Sequence, residues 1–480
     1  MFISLPLFLW NLENSENLKQ SLLFILCYNL GLNVVGYYWI PHTIREFGGL
    51  PYAASIITGV FFSFILQPHW WLYALWRKFK PAWQWERECG VLITAFIITF
   101  LERYIPQQFP SYAGSPWLHL KPFLGLTPYL GVVVFSFMTY WVCLEAITQL
   151  TARKFRSQVW IVFTAFILIN TLFPLENPEK IKDLPIRMVQ ANVGNFMKVS
   201  SEKGEKDSYE AIIKKYYRLS TEGEEKPDLI IWPETAYPNT FFGNYTRLDQ
   251  VFRNIMLEKD SEMLIGGYDQ NRSTSPFDLY ETVYNSSLLL SEGRVKTSYH
   301  KNILIPFGET LPFGPLNHQI VAFLPGVSLF ALGDGTPLME TREKFRFVTP
   351  ICYEILDSNF LRGLLNQWRD NHFIVNHTND SWYGKTAEPY QHLFLSKWRA
   401  LEFRLPIIRS TNTGISSVIY PDGSESKRLE IWEEGYLDIN IPISDPQNTL
   451  YQLYGVYPML GSFLLLLLIT WLRERNENQL

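Results

Sequence analysis

Phe345-Arg346-Phe347-Val348-Thr349-Pro350-Ile351-Cys352-Tyr353-Glu354 opens as a β-branched and aromatic run, breaks at a proline and then offers a thiol. A run of this composition bounded by Pro reads as a strand. A helix is expected over 360–368, so Cys352 falls where a buried strand turns toward a helix, a turn that presents a nucleophile well. Taken alone, Cys352 reads better as a small buried hydrophobe than as a nucleophile. Its company reverses that preference.

Two segments upstream supply what a thiol needs. Leu229-Ile230-Ile231-Trp232-Pro233-Glu234 ends an apolar strand with a carboxylate, at the strand end where α/β proteins place their sites. His300-Lys301-Asn302 follows a strand ending at His300 and precedes Ile303-Leu304-Ile305, then runs into Pro306-Phe307-Gly308-Glu309. An unpaired ammonium among apolar residues is costly, so Lys301 calls for a carboxylate partner. The three groups form a chemically coherent set: a carboxylate takes the thiol's proton, the thiolate attacks an acyl carbon, and the ammonium stabilises the oxyanion. An apolar pocket would raise the pKa of Glu234, which suits a proton acceptor. Lys301 and nearby amides would favour the Cys352 thiolate.

Around these segments, from about 185 to 445, short apolar runs alternate with polar and turn residues. Strands are expected at 186–190, 229–232, 263–267, 286–290, 345–348 and 373–376, and helices at 209–219, 248–257 and 360–368. Alternating elements of this kind imply an α/β domain with a buried sheet.

The rest of the chain is different. Its 480 residues are 47% hydrophobic and 16% aromatic, and the mean hydropathy of -0.02 averages two unlike regions. Apolar stretches at 20–40, 52–75, 90–104, 124–147, 158–174 and 454–472 approach the roughly 20 residues a bilayer core requires. Residues 1–10 lack a basic start and a small-residue cleavage site, so no signal peptide is expected there. Arg77, Lys78, Lys80 and Arg87, then Arg153, Lys154 and Arg156, then Arg473 and Arg475 lie in alternate connections, which predicts cytoplasmic termini and an external polar domain. The expected division is 1–180, a transmembrane bundle; 181–446, the α/β domain; and 447–480, a last span with a cytoplasmic tail. The net charge of -4 gives no sign of a nucleic-acid partner, and none is expected. Of four cysteines, only Cys352 lies in the polar region, so no disulfide forms within it.

At these spacings Glu234, Lys301 and Cys352 resemble the Glu, Lys, Cys triad of the nitrilase superfamily. The flanking spans, with Gly48-Gly49-Leu50-Pro51, narrow the resemblance to its membrane-embedded branch, the apolipoprotein N-acyltransferases. The resemblance implies a nitrilase-like αββα four-layer sandwich inserted between transmembrane helices, in a bacterial inner membrane with the sandwich on the periplasmic side. It makes Glu309 the further glutamate that holds the lysine, and Tyr353 and Glu354 the supporting residues after the nucleophile. Asn379-Asp380-Ser381-Trp382-Tyr383-Gly384, Gln391-His392-Leu393, Arg399-Ala400-Leu401-Glu402 and Arg409-Ser410-Thr411-Asn412-Thr413-Gly414 also follow the family pattern. Charges such as Arg399 and Glu402 read as braces rather than substrate contacts. The chain departs from the pattern in having fewer N-terminal spans and in having Val199 where the family often has tryptophan.

The implied activity is ping-pong transfer of an acyl chain from a phospholipid to the α-amine of a diacylglyceryl-cysteine lipoprotein, through a thioester on Cys352 and without a cofactor. A membrane-tethered amidase acting on carbon-nitrogen bonds would use the same triad, and a non-catalytic membrane binding protein could keep the fold. His372, His377 and Asp380 match no familiar zinc spacing, and no metal is expected. The aromatic- and glycine-rich stretch 311–332 is either a lid that dips into lipid or a segment packed on the domain.

Overall fold

A computed structural model describes residues 3–79, 90–107, 109–202, 204–242, 248–270, 283–322 and 329–477. Lys80, Arg87 and Cys89 lie outside these residues, as do Phe323 and Leu324 of the stretch 311–332.

The N-terminal part is helical: α1 Ser4–Glu13, α2 Leu18–Gly36, α3 Ile40–Gly48, α4 Tyr52–Leu66, α5 His69–Phe79, α6 Gly90–Tyr104, α7 Thr127–Ala152 and α8 Ser157–Leu172. Two of them, α2 and α7, are individually long and apolar enough to cross a membrane. The stretch expected as one span over 52–75 is instead a pair, α4 and α5, bent by 50°. The break falls at Gln67-Pro68, where proline withdraws an amide from the helical ladder. At 15 residues, α6 extends only about 22 Å, short of a hydrocarbon core of about 30 Å. Likewise α8 is a shorter apolar helix than a span requires. Among the described residues two helices therefore meet the length of a span, or three if the bent pair counts as one, fewer than the apolar stretches suggest.

Within the polar domain the strands are β1 Lys180–Gln190, β2 Leu229–Trp232, β3 Thr240–Phe241, β4 Glu262–Gln270, β5 Val283–Ser291, β6 Arg294–His300, β7 Met339–Glu340, β8 Arg346–Val348, β9 Phe373–Thr378, β10 Ile407–Thr411, β11 Ser417–Ile419 and β12 Gly435–Ser444. The helices are α9 Asn195–Glu202, α10 Lys206–Thr221, α11 Gln250–Lys259, α12 Asn317–Val321, α13 Ser358–Gln367 and α14 Glu388–Phe403, followed by α15 Leu450–Tyr454 and the apolar α16 Tyr457–Glu477. One sheet runs β12-β1-β2-β4-β5-β6, with β3 beside β4, and the other runs β11-β10-β9-β8-β7. In both, the centre is parallel (β1-β2-β4 and β8-β9-β10) and the flanks are antiparallel.

Strand periodicity explains the layering. Leu229 and Ile231 of β2, Leu264 of β4 and Leu289 of β5 point to a core shared with Phe347, Val375 and Ile408 of the second sheet. Their neighbours Ile230, Trp232, Met263, Ile265, Leu288 and Leu290 face the opposite way, onto Ile212, Tyr216 and Phe252 of α10 and α11. Leu361 and Leu365 of α13 and Leu393, Trp398 and Leu401 of α14 cover the second sheet. The result is helix, sheet, sheet, helix: a nitrilase-like αββα four-layer sandwich set between apolar helices.

The bundle and the sandwich share one core. Trp398 of α14 packs against Phe135 of α7 with ring centroids 5.4 Å apart, and its indole N–H donates to the Ser115 carbonyl at 3.3 Å. Buried Glu402 accepts from Ser358 Oγ at 2.9 Å and from the Val132 amide at 3.0 Å, and forms an ion pair with Arg399, whose Nε is 2.9 Å away. That last amide is free because α7 kinks at Gly131, whose φ is 67°; a Cβ there would lie 2.3 Å from the Tyr451 ring. Arg399 and Glu402 thus brace the sandwich against the bundle.

Candidate active site

The three singled-out side chains leave three different strand ends and meet. Glu234 follows β2 and Pro233. The turn carrying it lies against β4 so closely that a Cβ on Gly266 would lie 2.2 Å from the Pro233 carbonyl oxygen, so only glycine fits there. Lys301 follows β6, with its amide bonded to the Asn285 carbonyl at 2.9 Å. Cys352 opens a short 3-10 turn, Cys352–Leu356, directly after Ile351, which bridges to His377. Its φ is 54°, the left-handed region that a side chain with a Cβ rarely adopts. Backbone held in that region is a feature of functional sites and of sharp strand-to-helix turns that expose a nucleophile.

Lys301 is 1% exposed, and its Nζ lies 3.1 Å from Glu234 Oε1 and 2.8 Å from Glu309 Oε1. Glu234 also accepts from Asn285 Nδ2 at 2.8 Å and, on Oε2, from the Asn379 amide at 2.9 Å. Glu309 accepts from the same Asn285 Nδ2 at 3.0 Å and from the Ile305 amide at 3.0 Å. The carboxylate partner expected for Lys301 is therefore present twice. The surroundings of Glu234 are polar rather than the apolar pocket read from sequence. Burial opposes the Lys301 charge, but Glu234 and Glu309 outweigh it and hold its pKa well above the ordinary lysine range.

Cys352 behaves differently from the sequence expectation. Burial first, and then the Glu234 charge, push its thiol well above the ordinary range, and Lys301 pulls the other way without prevailing. The resting state is a thiol, which must lose its proton as it attacks. Alkylation of Cys352 by an uncharged reagent such as iodoacetamide should accordingly keep accelerating with pH beyond 9.0, the ordinary cysteine value. A plateau near neutrality would reveal a pre-formed thiolate.

Glu354 ties two of the loops together. Its Oε1 accepts from the amides of Asn302 at 2.6 Å and Ile303 at 2.9 Å, beside Lys301. Its Oε2 accepts from the Ile351 amide at 2.7 Å and from Tyr299 Oη at 2.8 Å. Burial raises its carboxyl to about 7, against the pull of these donors and of Lys301. Removing it strands four donors, of which the Ile351 amide and the Tyr299 hydroxyl are fully buried and cost about 1–3 kcal/mol each before relaxation. Glu354→Ala should lower the melting temperature by several degrees, readable by differential scanning fluorimetry; an unchanged value would mean the loops hold without it.

The remaining motif residues surround this centre. The Tyr353 ring stacks on His392 at 4.7 Å, and its hydroxyl donates to Glu388. Asn379 holds Glu234 by its amide, Asp380 pairs with Arg409 at 2.9 Å, and Gln391 accepts from Trp39 Nε1 at 3.1 Å and donates to the Gly36 carbonyl at 2.7 Å, joining α14 to the bundle. Among possible metal ligands, His372 accepts from the Arg346 amide at 3.1 Å. Asp380, Glu388 and His392 do cluster, with His392 Nδ1 3.6 Å from Asp380 Oδ1. Arg409 already supplies the cation at Asp380, however, and the Tyr353 hydroxyl occupies Glu388. Asn285 was not legible in sequence: it is a polar residue in a strand, and nothing in Val283-Tyr284-Asn285 marks it as the donor shared by two carboxylates.

A cavity of about 380 Å³ opens onto the cluster. Cys352, Glu234, Glu309, Asn285, Asn379, Trp382 and Tyr383 line it, together with Lys198 and Val199 of α9 and Glu46 of α3. Phe330, from the stretch 311–332, closes one side by stacking on Tyr268 at 5.7 Å, while Phe313 and Leu316 stay 44% and 53% exposed. One end of that stretch thus packs on the domain, and the other leaves large apolar side chains in the open.

A family model for the carbon-nitrogen hydrolases matches residues 186–451, and one described as the apolipoprotein N-acyltransferase N-terminal domain matches residues 1–144. The chain is 29% identical over 458 residues to an apolipoprotein N-acyltransferase of Bdellovibrio bacteriovorus, covering 90% of this chain and 82% of that one. It is 28% identical over 478 residues to another from Photobacterium profundum, covering 95% and 87%. Among solved structures, a CN-hydrolase superfamily protein from Xanthomonas campestris is 18% identical with a TM-score of 0.38, covering 54% of this chain and 91% of that one.

Proposed function

Because the chain belongs to the carbon-nitrogen hydrolase family, in its apolipoprotein N-acyltransferase branch, we propose that it moves an acyl chain from a phospholipid to the α-amine of a diacylglyceryl-cysteine lipoprotein, with Glu234, Lys301 and Cys352 as the catalytic residues. Glu234 takes the thiol proton as Cys352 attacks the acyl ester, and Lys301 stabilises the tetrahedral oxyanion. The lysophospholipid leaves as an alcohol with the proton held by Glu234, and a thioester remains on Cys352. The acceptor amine then attacks the thioester and gives up a proton through Glu234 as the amide forms and the thiol is restored. Glu309 holds Lys301, and Glu354 and Tyr353 keep the nucleophile turn in place. The division into 1–180, 181–446 and 447–480 belongs to this reading, as does a bacterial inner membrane with the sandwich on its outer side.

One observation supports transfer over simple hydrolysis most directly: Glu46, from the helical bundle, lines the same cavity as Cys352. Helical bundle and nucleophile share a wall, so a lipid-bearing amine carried by the bundle side can reach the thioester. Incubating the full-length protein with labelled phospholipid and a diacylated lipopeptide tests this. N-acylated lipopeptide is the expected product. Labelled fatty acid with no lipopeptide product would instead make the protein a membrane-tethered hydrolase.

A further inference from the structure

One cation in the cavity takes no part in the Glu234-Lys301-Glu309 cluster. Lys198 of α9 is only 7% exposed, yet it lines the cavity together with Cys352, while Lys301 donates to Glu234 and Glu309. Lys198 Nζ donates to Thr235 Oγ1 and makes a loose ion pair with Glu202, whose Oε1 is 3.9 Å away, beyond hydrogen-bond reach. An ammonium has three donors. Among the described residues, two of those on Lys198 therefore have no protein acceptor.

The neighbours hold the lysine in place without satisfying it. Thr235 follows Glu234 and sits at φ 48°, a fixed turn rather than a loose one. Glu202 is itself engaged by the Tyr268 hydroxyl at 2.7 Å. Glu234 and Glu309 share the single charge of Lys301, and Glu46 and Glu202 also line the cavity. Lys198 is nevertheless the one cation among the described residues of the lining, and an anion entering the cavity meets its spare donors, already stripped of most of their water, where a charge-assisted hydrogen bond is strongest.

We infer that Lys198 is the anion subsite of this cavity and receives the phosphodiester of the donor phospholipid while the acyl ester carbonyl lies against Cys352. The inference rests on the acyl-transfer reading above and adds the group that selects the donor. In a glycerophospholipid the phosphate and the acyl ester are joined through the short glycerol backbone, so their two recognition groups must share one cavity, as Lys198 and Cys352 do. The ammonium acts here as a point charge, for which the headgroup beyond the phosphate is secondary.

The test uses the full-length protein in detergent micelles and two donors of one acyl chain, a phospholipid and a p-nitrophenyl ester that has no phosphate. Intact mass follows thioester formation on Cys352. Lys198→Met should lower the preference for the phospholipid over the ester at least tenfold, through KM more than kcat, and Lys198→Arg should restore most of it. Equal slowing with both donors would make Lys198 a structural residue and overturn the inference, as would an unchanged preference. Wild-type protein that takes the acyl chain from the ester but never from a phospholipid would overturn the donor reading itself, which separates the two failures.

Discussion

Cys352→Ala is expected to abolish acyl transfer, by on the order of 10⁴–10⁶ in turnover, because a covalent nucleophile has no partial substitute in its site. The protein should still fold. The side chain lost is small, Ala carries the same Cβ into the left-handed turn at φ 54°, and the turn is held by bonds that do not use sulfur: Asn376 Nδ2 donates to the Pro350 carbonyl at 3.0 Å and to the Cys352 carbonyl at 3.1 Å, and Glu354 accepts the Ile351 amide. Intact mass spectrometry of protein extracted from membranes gives the sharper reading. Wild-type material should carry a fraction shifted by one acyl chain and sensitive to hydroxylamine, and the variant none. A shifted mass that survives Cys352→Ala would place the adduct on another residue, and retained transfer without an adduct would favour direct attack of the amine on the donor.

Much of the sandwich was legible because strand burial has a two-residue period. All six strands expected from apolar runs lie within or overlap observed ones, from 186–190 in β1 to 373–376 in β9. Others were less so: β12 reads Gly-Tyr-Leu-Asp-Ile-Asn-Ile-Pro-Ile-Ser, with a proline that argues against a strand until its place at the sheet edge is known. The membrane part was read too simply. Hydropathy counts apolar residues but not the continuity of a helix, so 52–75 reads as one stretch across the Gln67-Pro68 break. In the site, Glu234, Lys301, Glu309 and Cys352 carried recognisable neighbours. Asn285 and Lys198 did not, since their importance arises only where separate strands and α9 come together. The protonation of Cys352 was misjudged for a related reason: sequence showed the lysine but neither the burial of the thiol nor the two carboxylates that already hold the lysine's charge.

Lys301→Met should be damaging twice, to stability and to activity, and the pH dependence separates the two. The substitution leaves Glu234 and Glu309 with Asn285 Nδ2 and one backbone amide each but no cation in a buried site, and removing one partner of a buried ionic cluster typically costs about 3–5 kcal/mol. Two buried carboxylates without their cation resist ionising together, so at least one is raised above its unfolded value. A raised acid binds its proton more tightly when folded, and the variant's stability is therefore regained as pH falls from about 8 toward 5. In the wild type Lys301 is itself raised, so its contribution persists across that range and fades only above the ordinary lysine value of 10.5. Melting temperatures across this range should rise on acidification for Lys301→Met relative to wild type, and adding Glu309→Gln should flatten the difference by removing one of the opposed charges. Activity should not follow. The double variant recovers stability but still lacks the oxyanion's cation, so acyl transfer stays about 10²–10³-fold down. If activity returned together with stability, Lys301 would be a brace for the two glutamates, and the stabilising charge in the transition state would have to come from the backbone amides around Cys352.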